Sequence, residues 1–588
     1  MNRENEIINF NGKNTISLLC DRDASDADGD SIILMLLDYI YLVLYPDEYY
    51  SICDDMFFSQ DKSEPLLGEK LFYEKFAERL KEILIKNPCF PRKFTAVIDT
   101  YYVDYVYRDI YYHHFSSKHL NMRRTPLRIF FFEGDCVKEV KNYCEEKLRK
   151  KWIGLTVIQP NKVLGRTLFN PKYFLPNGTA VRTAPYEFLL NGMKLSVNAF
   201  QYMMQDEEAT TCAEVSLLNL LDYYATEYKE YNITLPADIE REERFTSIRA
   251  YPSGGMNARD ILHAMVKKGF APQQYKTNTL GQTIIKRYMY YYVESAVPFI
   301  AILDGNENQA THALVCVGHT QIMKEDLLEA SCRKFIDLDK NTYCWLVDTA
   351  DACKGIVTMD DNRMPYAILG FQTEESKSIG TTVTKFDSET QRVTPYKRIN
   401  VLCVPLYKRV FLDAIQAEEI FSSLLLSEWG IYNVASRVAD TVLQKKIMDK
   451  IPGKSQDQPL IRRIFLASSR TYSKERLKAF TEAIKNAVNS GTRKSLRAIR
   501  EFYSNTAMPR FVWVCELYSI EGYFRNQIVG EILLDATAEN GLNSLLLIHY
   551  PHLLARRQPD ESINALSNFN VFMDWTGYRG FGGNLREV

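Results

Sequence analysis

The sequence predicts a mixed α+β protein of several domains, and three observations carry that prediction. The chain has 588 residues, too many for one hydrophobic core. Apolar residues recur at helical spacing in some segments and as short continuous runs, typical of buried strands, in others. The pattern changes near residue 186 and again near residue 409. The chain therefore divides into 1–185, 186–408 and 409–588.

In the first segment Leu71, Phe72, Phe76, Leu80, Ile83 and Leu84 make a helical stripe within 67–87. Residues 94–98 and 127–132 read as strands, with a helix over 101–115 between them. A second helix over 137–151 feeds a strand at 155–159, and this alternation predicts a small N-terminal α/β domain. The middle segment has a strand at 194–200, a polar loop at 205–211 and a helix from Cys212 to about 228. The turn Gly254-Gly255-Met256-Asn257 opens another helix, which ends at Gly269. Strands follow at 298–303, 312–318 and 343–348, the first two joined by a hairpin loop containing Asp304-Gly305-Asn306. The last segment alternates helices with strands at 511–517 and 529–534 and predicts a mixed α/β domain.

Composition narrows the function classes. The chain is 46% hydrophobic, 12% aromatic and 25% charged, which excludes wholesale disorder. Tyrosine is in excess, at 37 residues. A net charge of −2 implies no polyelectrolyte partner for the chain as a whole. The charge is uneven, however. Residues 20–70 hold thirteen acids and three bases, whereas 445–500 holds fifteen bases and four acids. The start of the chain is polar and lacks the apolar core of a signal peptide. The most apolar run, 32–45, is fourteen residues and contains Asp38, whereas a spanning helix needs about twenty. Twelve cysteines without a C-x-x-C pair point to a reduced, cytoplasmic protein with no disulfide framework. The eight histidines do not gather with cysteines at zinc-ligand spacing.

Three suggestive motifs fail on inspection. Asp26-Ala27-Asp28-Gly29-Asp30 resembles a calcium loop, but aligning Gly29 puts Ala24 and Met35 at the two terminal ligand positions. Asp30 then reads as a helix cap. Gly453-Lys454-Ser455 resembles the end of a phosphate loop, but Met448 stands where the first glycine belongs. His113, His114 and His119 lie among tyrosines without carboxylate or thiol partners at matching spacing and read as packing or surface residues.

One constellation survives. Cys212 opens a helix directly after the loop Asp206-Glu207-Glu208-Ala209-Thr210-Thr211, where the positive end of the helix dipole favours a thiolate. His312 opens the strand Ala313-Leu314-Val315-Cys316-Val317-Gly318, apolar on both faces, so the imidazole stands at a core edge. Asp348 ends the strand Trp345-Leu346-Val347 and could hold that imidazole in the right tautomer. A nucleophile, a base and an orienting carboxylate are the parts acyl transfer requires.

These residues, with Gln205, Gly255-Met256-Asn257 and Val297-Pro298-Phe299-Ile300-Ala301, resemble the C39-like branch of papain-fold cysteine peptidases over about 170 residues. The resemblance implies Cys212 as nucleophile, His312 as base, Asp348 as orienter and Gln205 as an oxyanion donor. Ala213 stands where glycine is common, and Gln205 precedes Cys212 by seven residues, one more than the usual spacing. The fold class expected is α+β, a papain-like cysteine peptidase core flanked by an N-terminal α/β domain and a C-terminal mixed α/β domain. The activity expected is hydrolysis of a protein or peptide amide, with no metal or organic cofactor, under a regulatory protein partner. Deamidase, acyltransferase and isopeptidase use the same triad. The remaining alternatives are an inactive scaffold and nucleic-acid binding through 445–500, where Arg493, Lys494, Arg497 and Arg500 could line one helical face. The opposite charges of 20–70 and 445–500 suggest that these two stretches pack together.

Overall fold

The computed structural model describes residues 8–9, 15–21, 36–37, 39–40, 44, 75–118, 122–206, 208, 210–243, 256–304, 311–337, 342–371, 381–383, 394–396, 399–488, 490–539, 544–551, 553–557, 563–567 and 579–588. The loop at 26–30, most of the acidic stretch 20–70, His119, Gly254, Gly255 and the hairpin tip at 305–306 lie outside the described residues. Among the described residues no helix is long and apolar enough to cross a membrane.

The chain folds as a mixed α+β structure with three large sheets. The first contains, in spatial order, Ile8–Asn9, Thr15–Asp21, Lys93–Asp99, Leu127–Glu133, Trp152–Ile158 and Leu168–Phe169. Each strand is antiparallel to the next, which corrects the α/β expectation for this segment. Antiparallel neighbours need only a reversal of the chain, so the intervening helices are excursions rather than crossovers. The helix expected over 137–151 is two helices, Val137–Lys141 and Glu145–Lys151. Tyr143 separates them with a left-handed φ of 55°, which no helix can carry through.

The second sheet runs Gln273–Lys276, Ile399–Val404, Phe299–Leu303, His312–His319, Gly355–Met359, Ala367–Phe371, Thr381–Val383 and Thr394–Tyr396. The expected hairpin is there, with Phe299 opposite Cys316 and Leu303 opposite His312. Ala180–Val181 also pairs with His312–His319, and Arg586–Glu587 pairs with Ala180–Val181, so both flanking segments reach this sheet. Gly318 makes that approach possible, because a Cβ there would lie 2.3 Å from the Ala180 carbonyl oxygen.

The third sheet begins with Cys332–Asp337 and Thr342–Asp348, then adds Leu460–Ser468, Phe511–Tyr518, Ile528–Asp535, Leu545–Tyr550, Leu553–Arg557 and Ile563–Ser567. Thr342–Asp348 is parallel to Leu460–Ser468, with Asp348 opposite Arg462. The strand that ends in Asp348 is thus part of the C-terminal sheet, not a neighbour of His312–His319. Between the second and third sheets lies the helix Gln282–Glu294, packed against His312–His319 on one side and Leu460–Ser468 on the other. Its Tyr288, Tyr290, Tyr291 and Tyr292 are all buried. Where the helix is covered on both sides, tyrosine supplies large apolar area, and the hydroxyls of Tyr288, Tyr291 and Tyr292 each reach a partner. Tyr291 donates to Asp348 Oδ2 at 2.8 Å, and Tyr288 donates to Asp413 Oδ2 at 3.1 Å.

Arg462 is fully buried in the joint between these sheets. Its guanidinium donates to Asp348 Oδ2 at 2.8 Å, Glu418 Oε1 at 2.7 Å and Ser422 Oγ at 2.7 Å. Arg287 and Arg333 extend the network to Asp351 and Glu418. Removing one member of a buried ion network leaves its partners charged and desolvated, at a cost of about 3–5 kcal/mol. Arg462→Met, close in volume but neutral, is expected to destabilise the fold by that amount because Asp348 keeps no other cation within 4 Å among the described residues. Urea denaturation followed by tryptophan fluorescence checks it, and an unchanged midpoint contradicts the assignment.

Candidate functional site

The helix Cys212–Glu227 starts where the sequence predicts, and Glu214 Oε2 accepts from the Thr211 N–H at 2.6 Å across its first turn. The loop before it is knitted by Asp206. Its Oδ1 accepts from the Thr210 N–H at 2.7 Å and the Glu208 N–H at 3.1 Å, and its Oδ2 accepts from Asn161 Nδ2 at 2.9 Å. Val215, Leu217, Leu218, Leu220 and Leu221 bury this helix, and Ser216 Oγ donates to the Ala313 carbonyl at 3.1 Å. That bond fixes the start of the cysteine helix against the start of the histidine strand. The Cys212 thiol, partly exposed, lies within hydrogen-bonding reach of the His312 imidazole.

His312 does not meet Asp348. Asp348 is held by Arg462 and Tyr291 and accepts from the Ala350 N–H at 2.9 Å, capping the short helix Thr349–Ala352. The carboxylate beside His312 is Asp360, whose Oδ1 lies 2.7 Å from His312 Nε2. Sheet register explains the difference. Gly355–Met359 is the antiparallel neighbour of His312–His319, with Met359 opposite Val315. Continuing that register carries residues 360–362 alongside the His312 end of the strand. The turn there is rigid: Asp360 Oδ1 also accepts from the Asn362 N–H at 2.9 Å, and Tyr202 donates to the Arg363 carbonyl at 2.7 Å. Asn362 Nδ2 lies 3.4 Å from His312 Nδ1. The imidazole thus has side-chain partners at both nitrogens, and the Cys212 thiol lies beside the same ring.

The electrostatics follow from burial. Burial alone would lower the His312 pKa, but the charge and hydrogen bond of Asp360, the contact with Cys212 and the charge of Asp361 raise it to about 11. Asp360 is pulled below the usual carboxylate range, because the His312 cation and its hydrogen bond outweigh the desolvation that would raise it. Next in sequence, Asp361 has the opposite fate: burial pushes its carboxyl up to about 7, with Asp360 adding to the shift and His312 opposing it. A cationic imidazole facing a thiol at a helix start is the setting in which cysteines act as nucleophiles.

Beside this pair lies a cavity of about 200 Å³, lined by Gln205, Asp361 and Asn362 together with Lys75, Glu78, Arg79 and Met204. Gln205 is therefore in the same wall as Asp361 and Asn362, while Lys75, Glu78 and Arg79 bring the N-terminal helix Lys75–Lys81 to the same place. Of the four residues singled out from sequence, Cys212 and His312 meet, Gln205 lines the cavity with Asp361 and Asn362, and Asp348 lies in the third sheet. Asp360 went unnoticed although it carries the same signal as Asp348, an aspartate ending an apolar strand. The basic residues Arg493, Lys494, Arg497 and Arg500 are all exposed on the helix Ser490–Ser504, remote in sequence and sheet from this site. Comparison with family models, curated proteins and solved structures finds no match to the chain.

Proposed function

We propose that this chain is a cysteine hydrolase with a papain-like site that cleaves peptide or related amide bonds. The observation that carries the reading is a His312 imidazole that meets the Cys212 thiol and is fixed at Nε2 by the Asp360 carboxylate. Asp360, rather than Asp348, takes the orienting role. The Cys212 sulfur attacks the scissile carbonyl, and the imidazolium returns a proton to the leaving amine. Water then attacks the acyl-enzyme with His312 as base. Cys212 is the first residue of its helix, so its backbone N–H has no partner within that helix. With the Gln205 amide in the adjoining wall, it supplies the donors an oxyanion needs, and one such donor is worth about 3–4 kcal/mol.

The remaining cysteines make the test selective. Cys20, Cys136, Cys316, Cys344, Cys353, Cys403 and Cys515 are buried, and burial raises the pKa of each of these thiols. Limiting iodoacetamide at neutral pH, mapped by mass spectrometry, is expected to label Cys212 ahead of the exposed Cys89 and the partly exposed Cys144 and Cys332. His312→Ala should abolish that preference. Labelling led by Cys89 or Cys332 in the unmodified chain would remove the nucleophile assignment.

A second measurement separates the two aspartates. On a mixture of peptide substrates, Asp360→Ala is expected to lower kcat of the folded protein by about 10²–10⁴-fold, the scale of a misoriented acid–base group. Asp348→Ala should instead lower thermal stability through the Arg462 network. Reversed effects would return the orienting role to Asp348.

A further inference from the structure

The hydrolase reading uses the side chains of Cys212, His312, Asp360 and Gln205 and leaves one beside them unexplained. Asp361 is 5% exposed, and neither of its carboxylate oxygens has a hydrogen-bond partner. A buried carboxyl is ordinarily bonded on at least one oxygen, so an empty pair of acceptors calls for a ligand. Its Oδ1 is 3.6 Å from His312 Nε2, the nitrogen that Asp360 Oδ1 holds at 2.7 Å. One atom from each of His312, Asp360 and Asp361 lies within 4.8 Å of the other two. All three residues are buried.

We propose that His312, Asp360 and Asp361 form a site for a divalent transition-metal ion of the zinc class, and that the ion switches the hydrolase off. The inhibitory part rests on the hydrolase reading, whereas the binding part does not. One imidazole nitrogen and two carboxylate oxygens are a zinc-type donor set, with bonds of about 2.0–2.2 Å in tetrahedral geometry. Such bonds put neighbouring ligand atoms about 3.3 Å apart. The 3.6 Å gap fits that spacing, and the 2.7 Å hydrogen-bonded gap must open slightly. Asp361 also lines the 200 Å³ cavity, which gives the ion a path in and leaves its fourth position to water.

The exchange at His312 is balanced. The metal ion takes the Nε2 lone pair, and the Nε2 proton leaves to solvent. The ring keeps its other proton on Nδ1. With one nitrogen on the metal and a proton on the other, it has no free lone pair to take a proton from Cys212 or from water, so turnover falls. Asp360 meanwhile exchanges its hydrogen bond for a metal bond. Cys212 is outside this cluster, which distinguishes the site from simple capture of a reactive thiol.

Zinc chloride titrated into the metal-free full chain by calorimetry should show one saturable ion per chain that depends on this cluster. Asp361→Asn, which keeps the shape and removes the charge, should weaken binding at least tenfold, and Cys212→Ala should leave it unchanged. Cobalt(II) bound in its place should show ligand-field bands without a thiolate charge-transfer band. Stoichiometric zinc should depress peptide turnover, and a chelator should restore it. Binding lost in Cys212→Ala, binding indifferent to Asp361→Asn, or turnover that rises with zinc would each overturn the proposal. Turnover absent with and without metal would refute the hydrolase reading, and the calorimetric result would then decide the metal site alone.

Discussion

Buried charge is the constraint on which this structure turns. Arg462, Arg476, Asp348, Asp360, Glu516 and Glu531 all lie in the interior, where an unpaired ion costs several kcal/mol. Each is answered by a group from a different part of the chain. Arg462 draws Asp348 from the strand beside it and Glu418 from the helix Ala414–Leu426. Arg476, on the helix Ser469–Asn486, meets Glu516 and Glu531 on two strands of the third sheet. Glu294 ends the tyrosine-rich helix by pairing with His319 of the second sheet and Arg463 of the third. Hydrophobic burial would hold these layers together in many arrangements, but these pairings are satisfied in only one.

The site obeys the same constraint. A histidine at the mouth of an apolar strand would lose its proton to burial unless a carboxylate answered it. Asp360 is that answer, delivered by the turn that follows the neighbouring strand Gly355–Met359. Within the site, Asp361 is left with no hydrogen bond to either carboxylate oxygen. Buried polar groups without partners mark places where a structure holds something other than itself.

Much of this was legible in the sequence. Cys212 at a helix start and His312 at the mouth of a buried strand are local signals, and the structure brings them together. The choice of aspartate was not legible, because Trp345-Leu346-Val347-Asp348 and Val357-Thr358-Met359-Asp360 look alike to any local reading. What separates them is pairing at long range, one strand joining Leu460–Ser468 and the other joining His312–His319. A clue was available in Leu460-Ile461-Arg462-Arg463-Ile464-Phe465, where two arginines interrupt a strand that is otherwise apolar. Both must find buried acids, and an aspartate ending another apolar strand is a natural partner. The antiparallel order of the first sheet escaped for the same reason, since alternation of helices and strands fits excursions as well as crossovers.

The path of the chain between the two aspartates shows how the sheets act on the site. After His319 the chain leaves the second sheet, forms the helix Lys324–Glu329 and contributes two strands to the third sheet before returning as Gly355–Met359. Asp348 is the last residue of that excursion. Its carboxylate is fixed by Arg462, and it caps the helix Thr349–Ala352 that turns the chain back. Asp351 in that helix is held by Arg287 and Arg333, so the return has two anchors. Asp360 follows only twelve residues after Asp348. The strand that enters there shifts register once against His312–His319, between Cys316 and Gly318, and beyond that bulge Val315 faces Met359. A slip of one residue past the bulge would turn Asp360 away from His312. The ion network around Arg462 therefore acts on the site without touching it, by anchoring the segment from which the strand leading to Asp360 departs.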